Sequence, residues 1–138
     1  MTKRVLTEAE LLAARKEHYM NEAQLQFFRQ RLLTLRSQLL ANVRDTTEHL
    51  QATEAASDPS DRATQEEEQA VELRTRDRER KLLKKIDEAL ERITAGTYGF
   101  CKDTGEPIGI GRLLARPTAT LSVEAQDKRE RTQRQFAD

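Results

Sequence analysis

Ser57-Asp58-Pro59-Ser60-Asp61 interrupts an otherwise continuous helical pattern between Glu22 and Ala95, and its chemistry is that of a helix start. Asp58 suits an N-cap, Pro59 suits the first helical position, where an N–H would be unpaired anyway, and Asp61 puts a carboxylate beside the positive end of the helix dipole. From there no Gly or Pro occurs until Gly96, a residue suited to the position just past a helix end. Leu83, Ile86, Leu90 and Ile93 step by three and four, so this arm carries one apolar stripe.

Working back from the break, Leu25, Phe28, Leu32, Leu35 and Leu39 show the same steps, the spacing of a seam against a partner helix. Beyond Val43 the stripe weakens, with Thr46 and His49 near the seam positions. Two striped arms joined by a short break predict an antiparallel coiled-coil hairpin over residues 21–95, with an acidic tip at 57–63. At about 1.5 Å of rise per residue, arms of roughly 35 residues would extend on the order of 50 Å. Charge is segregated along them. Residues 54–72 hold seven acids against Arg62, whereas residues 74–85 hold seven bases against Asp77 and Glu79.

At the amino end, Thr7 with Glu10 fits a capping box, predicting a short helix through about Tyr19. Asn21 with Gln24 repeats that signature and starts the long arm at Glu22. Met20 before the cap and Leu25 after it have the spacing of a hydrophobic staple.

After Gly96 the texture changes. Gly99, Gly105, Pro107, Gly109, Gly111 and Pro117 surround Ile108, Ile110, Leu113 and Leu114, which predicts a small turn-rich knuckle. Ser122 to Phe136 reads as a polar, charged helix.

Composition restricts the function classes. The 138 residues are 36% hydrophobic and 35% charged, with no Trp, which suits solvated extended helices better than an enzyme built around a deep pocket. Net charge is zero, so the chain lacks the positive field that drives phosphate-backbone binding, and direct DNA binding is not expected. A lone cysteine, Cys101, excludes an internal disulfide. No apolar run is long enough for a signal peptide or membrane span, so the expected location is cytoplasmic, with no membrane partner. His18 and His49 have no metal-ligand spacing.

Three stretches of sequence resemble the DksA family of RNA-polymerase-binding transcription factors. The first is Asp58-Pro59-Ser60-Asp61-Arg62-Ala63 with Gln65-Glu66-Glu67-Glu68, and the second runs from Glu72 through Arg74-Thr75-Arg76-Asp77-Arg78-Glu79-Arg80-Lys81 to Ile86. The third combines Tyr98-Gly99-Phe100-Cys101, Ile108-Gly109-Ile110 and Arg112-Leu113-Leu114-Ala115-Arg116-Pro117-Thr118-Ala119, similar to the family's zinc-finger region. The similarity covers about residues 20–125. It implies a mainly α fold: an N-terminal helical segment over 1–20, the hairpin over 21–95, a degenerate zinc-finger-like knuckle over 96–125 and a C-terminal helix over 126–138.

The resemblance further implies a non-enzymatic, monomeric regulator whose hairpin enters the secondary channel of RNA polymerase, with Asp58, Asp61 and Ala63 as the tip residues near the active centre. It implies repression of ribosomal RNA promoters and support of amino-acid biosynthesis promoters, in concert with guanosine tetraphosphate. The positions matching the alarmone site are Leu82, Lys85 and Arg116, while a lysine of the family is Gln126 here. The family's four zinc-ligand cysteines correspond to Cys101, Thr104, Ser122 and Ala125, so structural zinc is not expected and no other cofactor is implied. Without metal, packing of Ile108, Ile110, Leu113, Leu121 and Val123 would have to fold the knuckle.

Each feature also has a plainer reading. An acidic hairpin end is ordinarily a solvated turn, and a lysine or arginine on a helix is ordinarily a surface charge. An accessory of the Gre type, which uses tip carboxylates to support a magnesium ion in transcript cleavage, and a coiled-coil adaptor without polymerase contact are the competing functions.

Overall fold

The computed structural model describes the backbone of residues 5–52 and 59–137 and the side chains of residues 5–45 and 61–136. Among the described residues five α-helices follow in order: α1 (Glu8–Ala13), α2 (Glu22–Ala52), α3 (Pro59–Ala95), α4 (Ile110–Ala115) and α5 (Val123–Ala137), with a 3-10 turn over Lys16–His18 between α1 and α2. The chain is mainly α, and among the described residues its only extended pairing is an isolated antiparallel bridge between Phe100 and Pro107. Two units form, one of Leu33–Asp87 and one of Met1–Leu32 with Glu88–Asp138.

Leu33–Asp87 contains the outer parts of both long helices. Arg36 on α2 donates from Nε to an Asp87 Oδ on α3 at 2.8 Å, tying residues 51 apart in sequence. Leu39 and Ile86 are buried. Leu35, expected in the seam, is 36% exposed, because a helix in a two-helix pair is covered on one side only and its seam side chains are only partly enclosed. The apolar residues Leu33, Leu40, Val71 and Leu73 are exposed as well.

The other unit holds most of the core. Phe28, Leu32 and Ile93 are buried as the stripes predict, and Gln24, Phe27 and Ala89 join them on a wider face. Phe28 meets Tyr98 with ring centroids 5.5 Å apart, and Phe27 packs edge-on against Phe28 at 5.3 Å. Such aromatic pairs contribute about 0.5–1.5 kcal/mol beyond the area they bury. The end of α3 is a Schellman turn. Gly96 has φ +80°, its N–H reaches Ile93 O, and Thr97 N–H reaches back to Arg92 O at 3.0 Å.

The capping box at Thr7 is present in both directions. The helix it begins ends at Ala13 rather than near Tyr19, since Ala14 is extended and a 3-10 turn follows. Along a helix, consecutive side chains diverge by about 100°. The break instead lets Tyr19 and Met20 both face Gly99, where an added Cβ would lie 2.7 Å from the Met20 thioether and 3.2 Å from the Tyr19 oxygen. Asn21 caps α2 through Oδ1 to Gln24 N–H at 2.9 Å. The reciprocal arm is displaced by one residue, for Gln24 Oε1 accepts from Met20 N–H, and Asn21 N–H goes to His18 O.

Candidate functional site

Of the predicted tip residues, Asp58 lies outside the described residues. Asp61 occupies the first turn of α3, and Asp61 and Ala63 are both exposed. On the same helix, Leu82 is 43% exposed and Lys85 is exposed. Three residues apart, they share one face of α3. These four residues belong to Leu33–Asp87, whereas Arg116 belongs to the other unit, directly after α4.

The knuckle brings three of the four predicted ligand positions together. A tight turn carries them: Cys101 N–H donates to Glu106 O at 2.7 Å, Ile108 N–H to Gly99 O at 2.8 Å and Gly105 N–H, at φ +75°, to Cys101 O at 2.8 Å. A further bond from Lys102 N–H to Thr120 O at 2.8 Å draws in the segment leading to Ser122. Cys101 is buried, which by itself raises its thiol pKa. Hydrogen bonds from Thr104 and Ser122, through hydroxyl and backbone groups, outweigh burial and lower it to about 6. Ser122 also serves as the N-cap of α5, its Oγ accepting from Ala125 N–H at 3.2 Å. A serine before a first-turn glutamate, Glu124, is the signal that could have revealed this cap in the sequence.

Two corrections concern the knuckle core. Ile108, Leu113 and Leu121 are buried as expected, but Val123 is 51% exposed and Ile110 only half-buried. Capping turns Ser122 inward, and its neighbour Val123 then faces solvent. Tyr98, Ala119 and Ala125 complete the interior. The middle of α5 is further tied to the turn by a two-armed Arg129–Asp103 pair, whose second arm is 2.8 Å, and Arg129 holds the Asp103 carboxyl below its ordinary range. This contact has no local sequence signal.

Family models match most of the chain. Residues 24–93 match the N-terminal domain of DnaK suppressor protein DksA, and residues 96–131 match the prokaryotic dksA/traR C4-type zinc finger. The chain belongs to the DksA family. It is 54% identical over 123 residues to the RNA polymerase-binding transcription factor DksA of Caulobacter vibrioides, covering 88% of this chain and 87% of that one. It is 50% identical over 123 residues to the protein of the same name from Escherichia coli K12, covering 88% and 81%. Transcription factor DksA2 from Pseudomonas aeruginosa is similar in structure, with a TM-score of 0.85 and 50% identity over 93% of this chain and 99% of that one.

DksA proteins of this kind are transcription factors and not enzymes, and this member shares that character. A C4-type finger requires four thiolates around a tetrahedral zinc. This chain has a single cysteine, Cys101, and at the positions the sequence resemblance assigns to the other three ligands stand Thr104, Ser122 and Ala125, the Ser122 oxygen accepting from the Ala125 amide. Among the described residues no group of three or more His, Cys, Asp or Glu is arranged to hold a metal. The donor set does not fit zinc. No described helix is long and apolar enough to cross a membrane.

Proposed function

We propose that this DksA-family protein binds RNA polymerase through the secondary channel and modulates transcription initiation, with no requirement for structural zinc. The supporting observation is the 54% and 50% identity, across 88% of the chain, to relatives named as RNA polymerase-binding transcription factors. In this reading the α2–α3 hairpin is the inserted element and Asp58, Asp61 and Ala63 act at its tip. Ribosomal RNA promoters are repressed and amino-acid biosynthesis promoters supported, with guanosine tetraphosphate as the effector.

The alarmone would meet Leu82, Lys85 and Arg116, whose cations suit a polyphosphate because charge-assisted hydrogen bonds are roughly twice as strong as neutral ones. Gln126, at the position of a family lysine, donates instead to Glu130 at 3.1 Å, so one cation of the set is missing. The protein works as a cytoplasmic monomer without contacting DNA directly.

Purified protein added to core polymerase and to a ribosomal RNA promoter tests the reading. Saturable binding, competition with Gre factors and alarmone-enhanced inhibition are expected. Failure to bind, or cleavage of backtracked transcripts in place of inhibition, would overturn it.

A further inference from the structure

Arg116 leaves the knuckle from a backbone fixed at both ends. At the near end, Gly109 precedes α4 with φ +104°, and its N–H donates to the Tyr19 oxygen at 3.0 Å. The same hydroxyl donates to Gly99 O, so one side chain from before α2 bridges two knuckle segments. At the far end, the Tyr98 hydroxyl donates to Pro117 O at 2.8 Å. Between these anchors the Arg116 N–H reaches Arg112 O at 2.7 Å, and its own carbonyl accepts from Ala119 N–H at 3.1 Å.

Other arginines of the same unit are engaged. Arg31 pairs with Glu8, Arg129 with Asp103, and Arg112 donates to Leu121 O at 2.8 Å. The Arg116 guanidinium makes no ion pair or hydrogen bond among the described residues and is exposed. A fixed backbone carrying an unengaged cation is preorganised for an anionic group, because less freedom is lost when the ligand arrives.

We propose that Tyr19 and Tyr98 are positioning residues for Arg116, clamping residues 109–117 at both ends so that its guanidinium is presented to a polyphosphate. The identity of the ligand rests on the alarmone reading above; the clamp does not. Both hydroxyls are held in their neutral, donating form, since burial raises the Tyr19 and Tyr98 pKa values. Tyr19 keeps its edge-on contact with Phe100, at 5.6 Å between centroids, if only its hydroxyl is removed.

Tyr19→Phe and Tyr98→Phe in the full chain test the clamp, with and without Arg116→Ala. In Tyr19→Phe, the Gly109 amide is expected to exchange with solvent about tenfold faster, the scale of one lost hydrogen bond. Both variants should lower the NMR order of the Arg116 backbone amide. With polymerase, each should raise the alarmone concentration needed for half-maximal effect several-fold, leaving alarmone-independent inhibition in place. Neither should add a shift once Arg116 is alanine, a non-additivity that a general loss of stability would not produce. Unchanged Arg116 order in both variants, or an equal shift in the Arg116→Ala background, would overturn the proposal. If Arg116→Ala alone leaves the alarmone titration unaltered, the alarmone assignment fails, and the exchange and order measurements still decide the clamp.

Discussion

In the Leu33–Asp87 unit and in the knuckle, the same chain uses two different means of specification. Between Leu33 and Asp87 most bonds are helical and local, large apolar residues such as Val71 and Leu73 are more than half exposed, and the Arg36–Asp87 pair is itself 40% and 46% exposed. The knuckle is short, yet beside its local turn bonds it is tied by side chains that reach across sequence: Tyr19 to Gly99 and Gly109, Tyr98 to Pro117, Asp103 to Arg129. A periodic helix pair tolerates loss of one contact because its neighbours repeat it. A knuckle built from single, unlike contacts does not.

The largest effect expected from this contrast is at Phe28, which is fully buried and joins Phe27 to Tyr98. Phe28→Ala should lower stability by about 3–5 kcal/mol, the usual range for a buried phenylalanine. Leu35→Ala, at a side chain that is 36% exposed, should cost about 1–2 kcal/mol, since its apolar area is only partly covered. Denaturant melts of both variants compare them directly, and equal losses would erase the distinction between the regions.

Next in size is the Cys101 thiol, whose pKa is about 6 in the fold against an ordinary value of 9.0. Between those values the folded form is ionised and the unfolded form is not, so folding is linked to proton release. The stabilisation is complete above pH 9.0, declines as pH falls and is absent below about pH 6. Thiolate absorbance should therefore titrate near pH 6, and Cys101→Ser should flatten the rise in stability across that window. A titration midpoint near 9.0 would show that Thr104 and Ser122 do not govern the sulfur. Under the zinc-free reading, protein purified without chelator should hold far less than one zinc per chain by elemental analysis, with chelator leaving its melting unchanged.

Charge changes on the hairpin should matter least to folding. Asp61→Asn removes an exposed first-turn carboxylate and should cost no more than about 1 kcal/mol. Its expected effect is on regulation: polymerase affinity stays largely intact and inhibition of a ribosomal RNA promoter is mostly lost. Loss of binding and inhibition together would place Asp61 in affinity rather than at the active centre. Arg36→Ala should cost about 1 kcal/mol or less, because an ion pair so exposed is screened by water and salt.

Much of the hairpin was legible residue by residue. Pro59 does begin α3, Gly96 does end it, Asn21 does cap α2, and Phe28, Leu32, Leu39, Ile86 and Ile93 are buried where their spacing puts them. These features depend on interactions within about four residues, or on a periodicity that sequence displays directly. That a single cysteine, Cys101, cannot supply four thiolates is also read from residue type alone.

Tertiary structure alone decided what depends on distant partners meeting. The break after Ala13, the burial of Ala89 and, through Ser122, the lowered thiol of Cys101 each follow from such meetings. So do the two tyrosine bonds flanking Arg116, one joining residues 90 apart and the other 19 apart. Nothing in a tyrosine's neighbours tells which carbonyl or amide its hydroxyl will reach. That is settled only when folding brings Tyr19 and Tyr98 to the segment that carries Arg116.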